Sequence, residues 1–226
     1  MIDTGANREE RVNIGIIGSG MVGKALAEGF AKRGDSVVIG SRSPEKLLDW
    51  CKETAPAVHL GSFEEAAVHG EIIALATKWD GDAARKALDL AGQDNLAGKI
   101  LMDITNPLIV REENAPPELA VSFPESAGKL VQKWLPDTRV VKIFNTITSA
   151  YMANPRLEEG TPDMFLCGND SEAKEIVTAI ATGWGWPVRD LGDISQAYLL
   201  EALALIWIRF GFLNNHWTHA FKLLMR

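Results

Sequence analysis

The chain has 226 residues, of which 46% are hydrophobic and 23% are charged, and its formal net charge is -7 at pH 7. This length suffices for one sizeable core and is too short for a dinucleotide-binding domain followed by a large separate substrate domain. The negative charge argues against nucleic acid or an anionic membrane as the partner.

Strand-like and helix-like segments alternate along the chain, as is typical of a doubly wound parallel sheet. Apolar, β-branched runs predict strands, and apolar residues at helical spacing predict helices. The strands are expected at 12–18, 36–40, 57–61, 71–77, 98–105, 138–144, 164–168 and 186–192. The helices are expected at 21–34, 44–55, 62–70, 80–92, 125–135 and 171–185, with one or two more at 194–225.

Two of these helices begin with recognisable capping sequences. Ser62 and Glu65 have the spacing of a capping box, and Ser43 followed by Pro44 is typical of an N-cap and a first helical residue. No repeat or linker interrupts the sequence. We therefore expect an α/β Rossmann-type fold in which 1–226 form a single NADP-binding domain and 194–226 are its helical C-terminal extension.

A glycine-rich turn joins the first predicted strand to the first predicted helix. Gly18, Gly20 and Gly23 form a G-x-G-x-x-G pattern, which permits a tight turn, close approach of a pyrophosphate and close helix packing. The N-terminus of the helix offers free N–H groups to the phosphates. The expected pyrophosphate-binding residues are Gly18, Ser19, Gly20, Met21, Val22 and Gly23.

The end of the second predicted strand indicates which dinucleotide binds. An NAD site usually has an acidic residue here, which bonds the ribose 2′-hydroxyl, whereas this chain has Ser41 and Arg42, with Lys46 shortly after. Arg42 can form charge-assisted bonds to a 2′-phosphate and stack on the adenine, and Ser41 adds a hydroxyl donor. The sequence therefore favours NADP(H), the alternative being that Arg42 and Lys46 are ordinary surface cations.

Further site residues are expected after the later strands, because ligands bind beyond the carboxyl ends of the strands in such sheets. Cofactor-binding residues are predicted at Thr77, Lys78 and Asn106, with Trp79, Thr105 and Pro107 beside them. Substrate contacts are predicted at Asn145, Thr146 and Thr148. Alternatively, Trp79 packs in the core, and Asn106–Pro107 only form a turn of the chain.

No catalytic residue and no metal site are indicated. His59 and His69 fall far from the expected crevice, and His216 and His219, one helical turn apart, lack further ligands. Cys51 and Cys167 form no disulfide framework, which favours a reducing cytosol. The polar N-terminal stretch 1–13 lacks a signal sequence, and the longest apolar stretch is shorter than the roughly 20 residues of a membrane span.

The sequence resembles the NADP-dependent deazaflavin oxidoreductase family over nearly the whole chain. The resemblance rests on stretches 14–46, 105–108, 142–152 and 187–208, and it extends to the cytosolic domain of six-transmembrane ferric reductases, to which 142–152 is closer. It implies that Ser41, Arg42 and Lys46 hold the 2′-phosphate. Deazaflavin enzymes carry a histidine at the position of Asn145 and a proline near Thr148, so the resemblance implies the dinucleotide site and leaves the acceptor open.

We therefore expect a cytoplasmic enzyme that transfers a hydride between NADP(H) and a flat small-molecule acceptor, a deazaflavin or a flavin. The alternatives are a reductase of a small imine or carbonyl compound and a non-catalytic NADP-binding sensor. The apolar C-terminal stretch favours a homodimer, because it is apolar around most of a helical circumference. Trp207 and Trp217 within and after it are expected either to pack together or to line an acceptor pocket.

Overall fold

In the computed structural model of the chain, residues 11–112 and 115–225 are described. The stretch 1–10, which holds most of the polar N-terminus, lies outside them. The strands are β1 (Asn13–Ile17), β2 (Ser36–Gly40), β3 (Val58–Gly61), β4 (Ile72–Leu75), β5 (Ile100–Asp103), β6 (Leu108–Ile109), β7 (Glu118–Leu119), β8 (Arg139–Lys142), β9 (Met164–Gly168) and β10 (Val188–Asp190). The helices are α1 (Met21–Arg33), α2 (Leu48–Thr54), α3 (Phe63–His69), α4 (Ala83–Ala91), α5 (Gln93–Leu96), α6 (Ala127–Trp134), α7 (Ser171–Gly183) and α8 (Ala197–Asn214).

Eight of the strands form one sheet, in the order β10-β9-β8-β5-β4-β1-β2-β3. From β8 to β3 all neighbours are parallel, with Gly15 of β1 opposite Val38 of β2 on one side and Ile73 of β4 on the other. The order of the strands reverses between β1 and β4, which is where such sheets open a ligand crevice. The predicted doubly wound α/β fold is confirmed.

Helices cover both faces of the sheet, because its central strands are apolar on both sides. One buried cluster packs Ile16 of β1 against Phe30 of α1 and Val177 of α7. The other packs Leu75 of β4 against residues of α4, α6 and α8, among them Leu200. These two layers hold the carboxyl ends of β1, β4 and β5 rigidly side by side.

The structure departs from the sequence-based expectation in two strand regions. β9 pairs antiparallel with β8, and β10 pairs parallel with β9, so these two strands run against the other six. Between β5 and α6 a short hairpin, β6 with β7, pairs Leu108 with Leu119. Strand direction is fixed by the length and path of connections, which apolar periodicity does not report.

The helix starts behave differently from one another. The capping box is confirmed, because Ser62 Oγ accepts from Glu65 N at 3.1 Å and Glu65 Oε2 accepts from Ser62 N at 2.6 Å. Ser43 makes no side-chain cap. Instead its backbone N–H donates to Ser41 Oγ at 3.1 Å, and a short 3₁₀ segment, Pro44–Leu47, precedes α2.

The C-terminal extension contains one α-helix, where one or two were expected. α8 ends at Asn214, the left-handed backbone of the following Asn215 (φ 45°) turns the chain, and 216–225 form no helix. This segment folds back on the domain, because Leu223 N donates to Asp163 Oδ2 at 2.8 Å. The expected helical spacing of His216 and His219 is therefore wrong.

Ile194–Asn214 is long and apolar enough to cross a membrane, contrary to the expectation from its length. It resembles a membrane span only in length and composition, and a core helix of a soluble protein can have the same length and composition. Its first half carries Glu201, which is fully buried and paired with Lys142 of the sheet. That half of α8 is thus part of the domain core.

Candidate functional site

The glycine turn is shaped by two kinds of contact. Gly18 has φ +122°, and a Cβ there would overlap the Ala76 carbonyl group, while a Cβ on Gly23 would overlap the Gly18 carbonyl group. Neither position tolerates a side chain. A Cβ on Gly20 would meet nothing within 4 Å, so the space beside Gly20 is free for a ligand.

The first turn of α1 is uncapped and faces this space. Gly20 is the N-cap, no side chain bonds the first N–H groups, and the first turn has no acidic residue. An uncapped helix start attracts anions through its free N–H groups and the helix dipole. The expected pyrophosphate-binding residues therefore lie together, with Met21 at 81% exposure and Val22 on the wall of the adjoining cleft.

The end of β2 meets this turn and carries unpaired positive charge. Ser19 Oγ donates to Ser41 Oγ at 3.1 Å, which ties the two loops together. Arg42 and Lys46 are both exposed, and neither forms an ion pair with any residue in 11–112 or 115–225. The structure thus brings Ser41 and Arg42 beside the glycine turn.

A cleft of about 730 Å³ opens beyond the carboxyl ends of β4 and β5. Thr77, Lys78 and Asn106 all line it, as does Trp79. Trp79 also stacks on Trp134, with ring centroids 5.5 Å apart, so its two expected roles coexist. A separate groove of about 760 Å³ runs along the outer side of α1, away from these strand ends.

One wall of the cleft was not expected from the sequence. It is the first strand of the hairpin and the residues after it, Leu108–Arg111. The apolar run directly after Asn106–Pro107 was the available signal. Leu108, Ile109 and Val110 make this wall of the cleft apolar as far as the charged Arg111.

The amide side chain of Asn106, which lines the cleft, interlocks with that of the buried Asn145. Asn145 Nδ2 donates to Asn106 Oδ1 at 2.9 Å and to the Leu200 carbonyl at 2.9 Å, and Asn106 Nδ2 donates to the Asn145 carbonyl at 2.8 Å. Asn145 Oδ1 and Thr77 Oγ1 are buried and have no partner in the described part of the chain. Buried polar atoms are normally satisfied, and Thr77 lines the cleft, so its hydroxyl fits a polar group bound there.

The structure does not bring Thr146 and Thr148 into this cleft. Thr146 is buried at 5% exposure, Thr148 precedes the 3₁₀ segment Ser149–Tyr151, and neither lines the cleft walls. After β8 the chain turns toward α1, where it packs. Of the three predicted substrate residues, only Asn145 is connected to the cleft lining, through its hydrogen bonds with Asn106.

A buried charged cluster lies beneath the cleft and was not predicted. Lys142 at the end of β8 pairs with Asp103 at the end of β5 (2.9 Å) and with Glu201 of α8 (3.2 Å), and all three side chains are inaccessible to solvent. Burial alone would lower the pKa of Lys142, but Asp103 and Glu201 outweigh it and raise that pKa. Burial raises the pKa of Glu201, against the opposing effect of Lys142 and two backbone N–H groups.

The histidine, cysteine and C-terminal tryptophan candidates do not line the cleft. Among residues 11–112 and 115–225, no three His, Cys, Asp or Glu side chains are grouped to hold a metal. His219 stacks on Trp207 at 4.6 Å, and Trp207 contacts Trp217 at 5.5 Å, so these aromatic residues pack together. Cys167 is buried, and burial raises the pKa of its thiol to about 12.

Comparison with known proteins agrees with this geometry. Residues 13–107, which span β1 to the cleft floor, match the family described as NADP oxidoreductase, coenzyme F420-dependent. The solved structure of a candidate F420-dependent NADP reductase from Arthrobacter sp. FB24 is 36% identical, with a TM-score of 0.89. The match covers 95% of this chain and 100% of that one.

Two curated proteins extend the comparison. The F420-dependent NADP reductase of Methanocaldococcus jannaschii is 27% identical over 203 residues, 84% of this chain and 88% of that protein. Metalloreductase STEAP3 of Rattus norvegicus is 33% identical over 199 residues, and the match spans 87% of this chain but only 37% of the metalloreductase. The chain belongs to the family of F420-dependent NADP oxidoreductases.

Proposed function

We propose that the chain is an NADP(H)-dependent oxidoreductase that transfers a hydride between NADP(H) and a deazaflavin or flavin. The observation that carries the proposal is the end of β2, where an exposed Arg42 stands beside the glycine turn and no acidic residue takes its place. A carboxylate would repel a 2′-phosphate, whereas a guanidinium binds it with charge-assisted hydrogen bonds.

The cofactor would bind along the carboxyl edge of the sheet. Its pyrophosphate would lie on the first turn of α1, and its adenosine 2′-phosphate on Ser41, Arg42 and Lys46. Its nicotinamide would enter the cleft, beside the residues that line it. The proposed binding residues are Gly18, Ser19, Gly20, Met21, Val22, Gly23, Ser41, Arg42, Lys46, Thr77, Lys78 and Asn106.

In this proposal, the nicotinamide end would supply partners for the two unpartnered oxygens. A carboxamide offers both donors and an acceptor, which would match Asn145 Oδ1 and Thr77 Oγ1. When bound, NADPH supplies the hydride, and the protein holds the ring in place and keeps one face open. Such a transfer depends on alignment and needs no protein acid or base, so no catalytic residue is assigned.

The acceptor class follows from the relatives and from the shape of the cleft. Two of the relatives carry F420-dependent NADP reductase in their names. The cleft here is roomy and has an apolar wall of Leu108, Ile109 and Val110, which suits a flat ring system. Asn145 supports the nicotinamide end in this proposal, so the acceptor would contact the apolar wall.

We also propose that the chain acts in the cytoplasm as a homodimer, with 1–226 as one domain and 194–226 as its extension. Leu199, Ile206, Phe210 and Leu213 are 42%, 59%, 47% and 72% exposed and share one side of α8. An apolar face of this kind favours burial against a second copy. No membrane or nucleic acid takes part in the proposed reaction.

The test is an anaerobic assay with purified protein, NADPH and one acceptor at a time: a deazaflavin of the F420 type, FMN or FAD. Loss of reduced nicotinamide absorbance with one acceptor, and none with NADH, is the expected result. Tight NADPH binding without transfer to any of the three would refute the reductase proposal. Assays with small imines and carbonyl compounds would then separate a different reductase from a sensor.

A further inference from the structure

Lys142, Asp103 and Glu201 form a closed network of buried charges, the charge triad, directly beneath the cleft. Lys142 Nζ lies 2.9 Å from Asp103 Oδ2 and 3.2 Å from Glu201 Oε1, with no side chain accessible to solvent. Three elements meet here: the carboxyl ends of two central strands and the C-terminal helix. The cluster holds one cation and two anions.

The charge triad fixes the residue that begins the cleft floor. Asp103 Oδ1 accepts from Thr105 N at 2.9 Å and from Thr105 Oγ1 at 2.6 Å. Lys142 Nζ donates to the Thr105 carbonyl oxygen. Thr105 and the following Asn106 both line the cleft, so only one residue separates the triad from the cleft.

Each carboxylate oxygen of the triad has a donor that stabilises its ionised form. Glu201 Oε1 and Oε2 accept from the N–H groups of Gly128 and Ala127 in the first turn of α6, each at 3.0 Å. Hydrogen bonds to a carboxylate and a nearby ammonium both favour ionisation, and at Glu201 they oppose the burial that raises its pKa. With both acids ionised and Lys142 protonated, the triad carries a net charge of one negative unit.

Fold stability alone gives no reason to keep this arrangement. Burying charges costs solvation, and replacing a buried ion pair by well-packed apolar residues is often neutral or stabilising. A buried net charge, however, acts over a long range because little water screens it. Its effect falls on any group that changes charge in the cleft above.

The nicotinamide is such a group. When a hydride leaves NADPH, the C–H bonding electrons move with it to the acceptor, and the ring is left with one positive charge. We propose that the charge triad stabilises this cationic ring, so that the protein binds NADP⁺ relatively more tightly than an uncharged floor would and thereby favours hydride donation. This inference rests on the proposed function, which places the nicotinamide in the cleft.

The charged side chains on the cleft walls act differently. Lys78, Asp80 and Arg111 line the cleft but are exposed, so water and salt screen them. Among the described residues, no other set of three charged side chains at this edge of the sheet is fully buried. Glu201 and Asp103 are accordingly positioning residues that act through Thr105 and through their charge, without touching the substrate.

The test compares equilibrium dissociation constants for NADP⁺ and NADPH in wild type, Glu201→Gln and Asp103→Asn. Each substitution keeps the size of the side chain and removes one negative charge. A unit charge acting over roughly 10–15 Å, at an effective dielectric constant of about 20–40, changes a binding constant by about three- to fifteenfold. The ratio of the NADP⁺ constant to the NADPH constant should rise by that factor in both variants.

Asp163→Asn is the matched control. Asp163 is also buried and also paired with two cations, Arg189 at 3.1 Å and Lys222 at 3.2 Å, but shares no hydrogen bond with the triad. Its ratio should stay at the wild-type value. Because both cofactor forms are titrated into the same preparation, partial unfolding lowers both affinities alike and leaves the ratio unchanged.

The outcomes separate the two proposals. A raised ratio in both triad variants, with none in the control, supports the inference. Unchanged ratios, or an equal rise in Asp163→Asn, overturn it while leaving the proposed function intact. A wild-type protein that binds neither cofactor form overturns both.

Discussion

Arg42→Ala separates an NADP(H) site from a generic dinucleotide site. The side chain is exposed, pairs with no described residue and stands where the 2′-phosphate would bind. Its loss should therefore leave the fold intact. NADPH should bind more weakly, and NADH, which lacks the phosphate, should bind as before.

The size of the effect follows from the exposure of Arg42. A hydrogen bond to a charged group contributes about 1.5–3 kcal/mol. At an exposed site, solvent screening lowers the lower limit of this contribution to about 1 kcal/mol. The NADPH dissociation constant should thus rise roughly five- to 150-fold. Lys46→Ala should give a smaller rise, since a lysine offers a point charge and no planar fork.

The assay is fluorescence or calorimetric titration of each variant with NADPH and NADH at low salt and again at high salt. Lys52→Ala is the charge-matched control, since Lys52 is exposed on α2, beyond the 3₁₀ segment that carries Lys46. The Arg42 effect should shrink as salt increases, because the contact is solvent-exposed. Equal weakening of both cofactors, or of neither, would refute the assignment of Arg42 to the 2′-phosphate.

Three other outcomes are expected. Gly20→Ala should keep the wild-type melting temperature within a few degrees and lose NADPH binding, because its Cβ would occupy only the space of the ligand. Gly34→Ala, at φ +97°, should instead lower stability by about 1 kcal/mol and keep NADPH binding. The reverse pattern would contradict a ligand beside Gly20. Since the folded pKa of Cys167 lies at about 12, above its ordinary value of 9.0, its contribution to stability is complete below pH 9 and lost as pH rises toward 12. The free energy of unfolding of wild type should therefore fall more steeply there than that of Cys167→Ala, by up to about 4 kcal/mol, and Cys51→Ala should follow wild type. Ile206→Asp on the exposed side of α8 should give monomers in light scattering, and an unchanged mass would exclude this face as the dimer interface.

The fold was predictable from the sequence because its information is local. Each central strand is an apolar run such as Ile14–Ile17, and each covering helix has apolar residues at helical spacing. The glycine turn was predictable from its local G-x-G-x-x-G spacing. The contact that excludes a side chain at Gly23 lies within the β1–α1 unit, whereas that at Gly18 comes from Ala76, which follows β4. The residues at the ends of β2, β4 and β5 followed from one topological rule.

Contacts between distant elements could not be predicted in this way. The antiparallel entry of β9 and the hairpin wall depend on the path of connections that carry no periodic pattern. Asn145 could be placed after β8, but its bonds to Asn106 and to the Leu200 carbonyl require β5 and α8 to be in position. Thr146 and Thr148 were expected beside it because they follow the same strand, but after β8 the chain turns toward α1.

Lys142 and Glu201 illustrate the limit most clearly. Each is a single charged residue within an apolar segment of the sequence. Charged side chains are rarely buried, so such a position reads locally as the solvent-exposed end of a strand or helix. In the fold, Lys142 Nζ pairs with Glu201 Oε1 at 3.2 Å and also with Asp103 Oδ2. Local violations that resolve only in three dimensions are expected at functional sites, because stability alone would have replaced them with apolar side chains. The position of this pair, one residue beneath the cleft floor, is therefore itself an argument that its charge serves the chemistry above it.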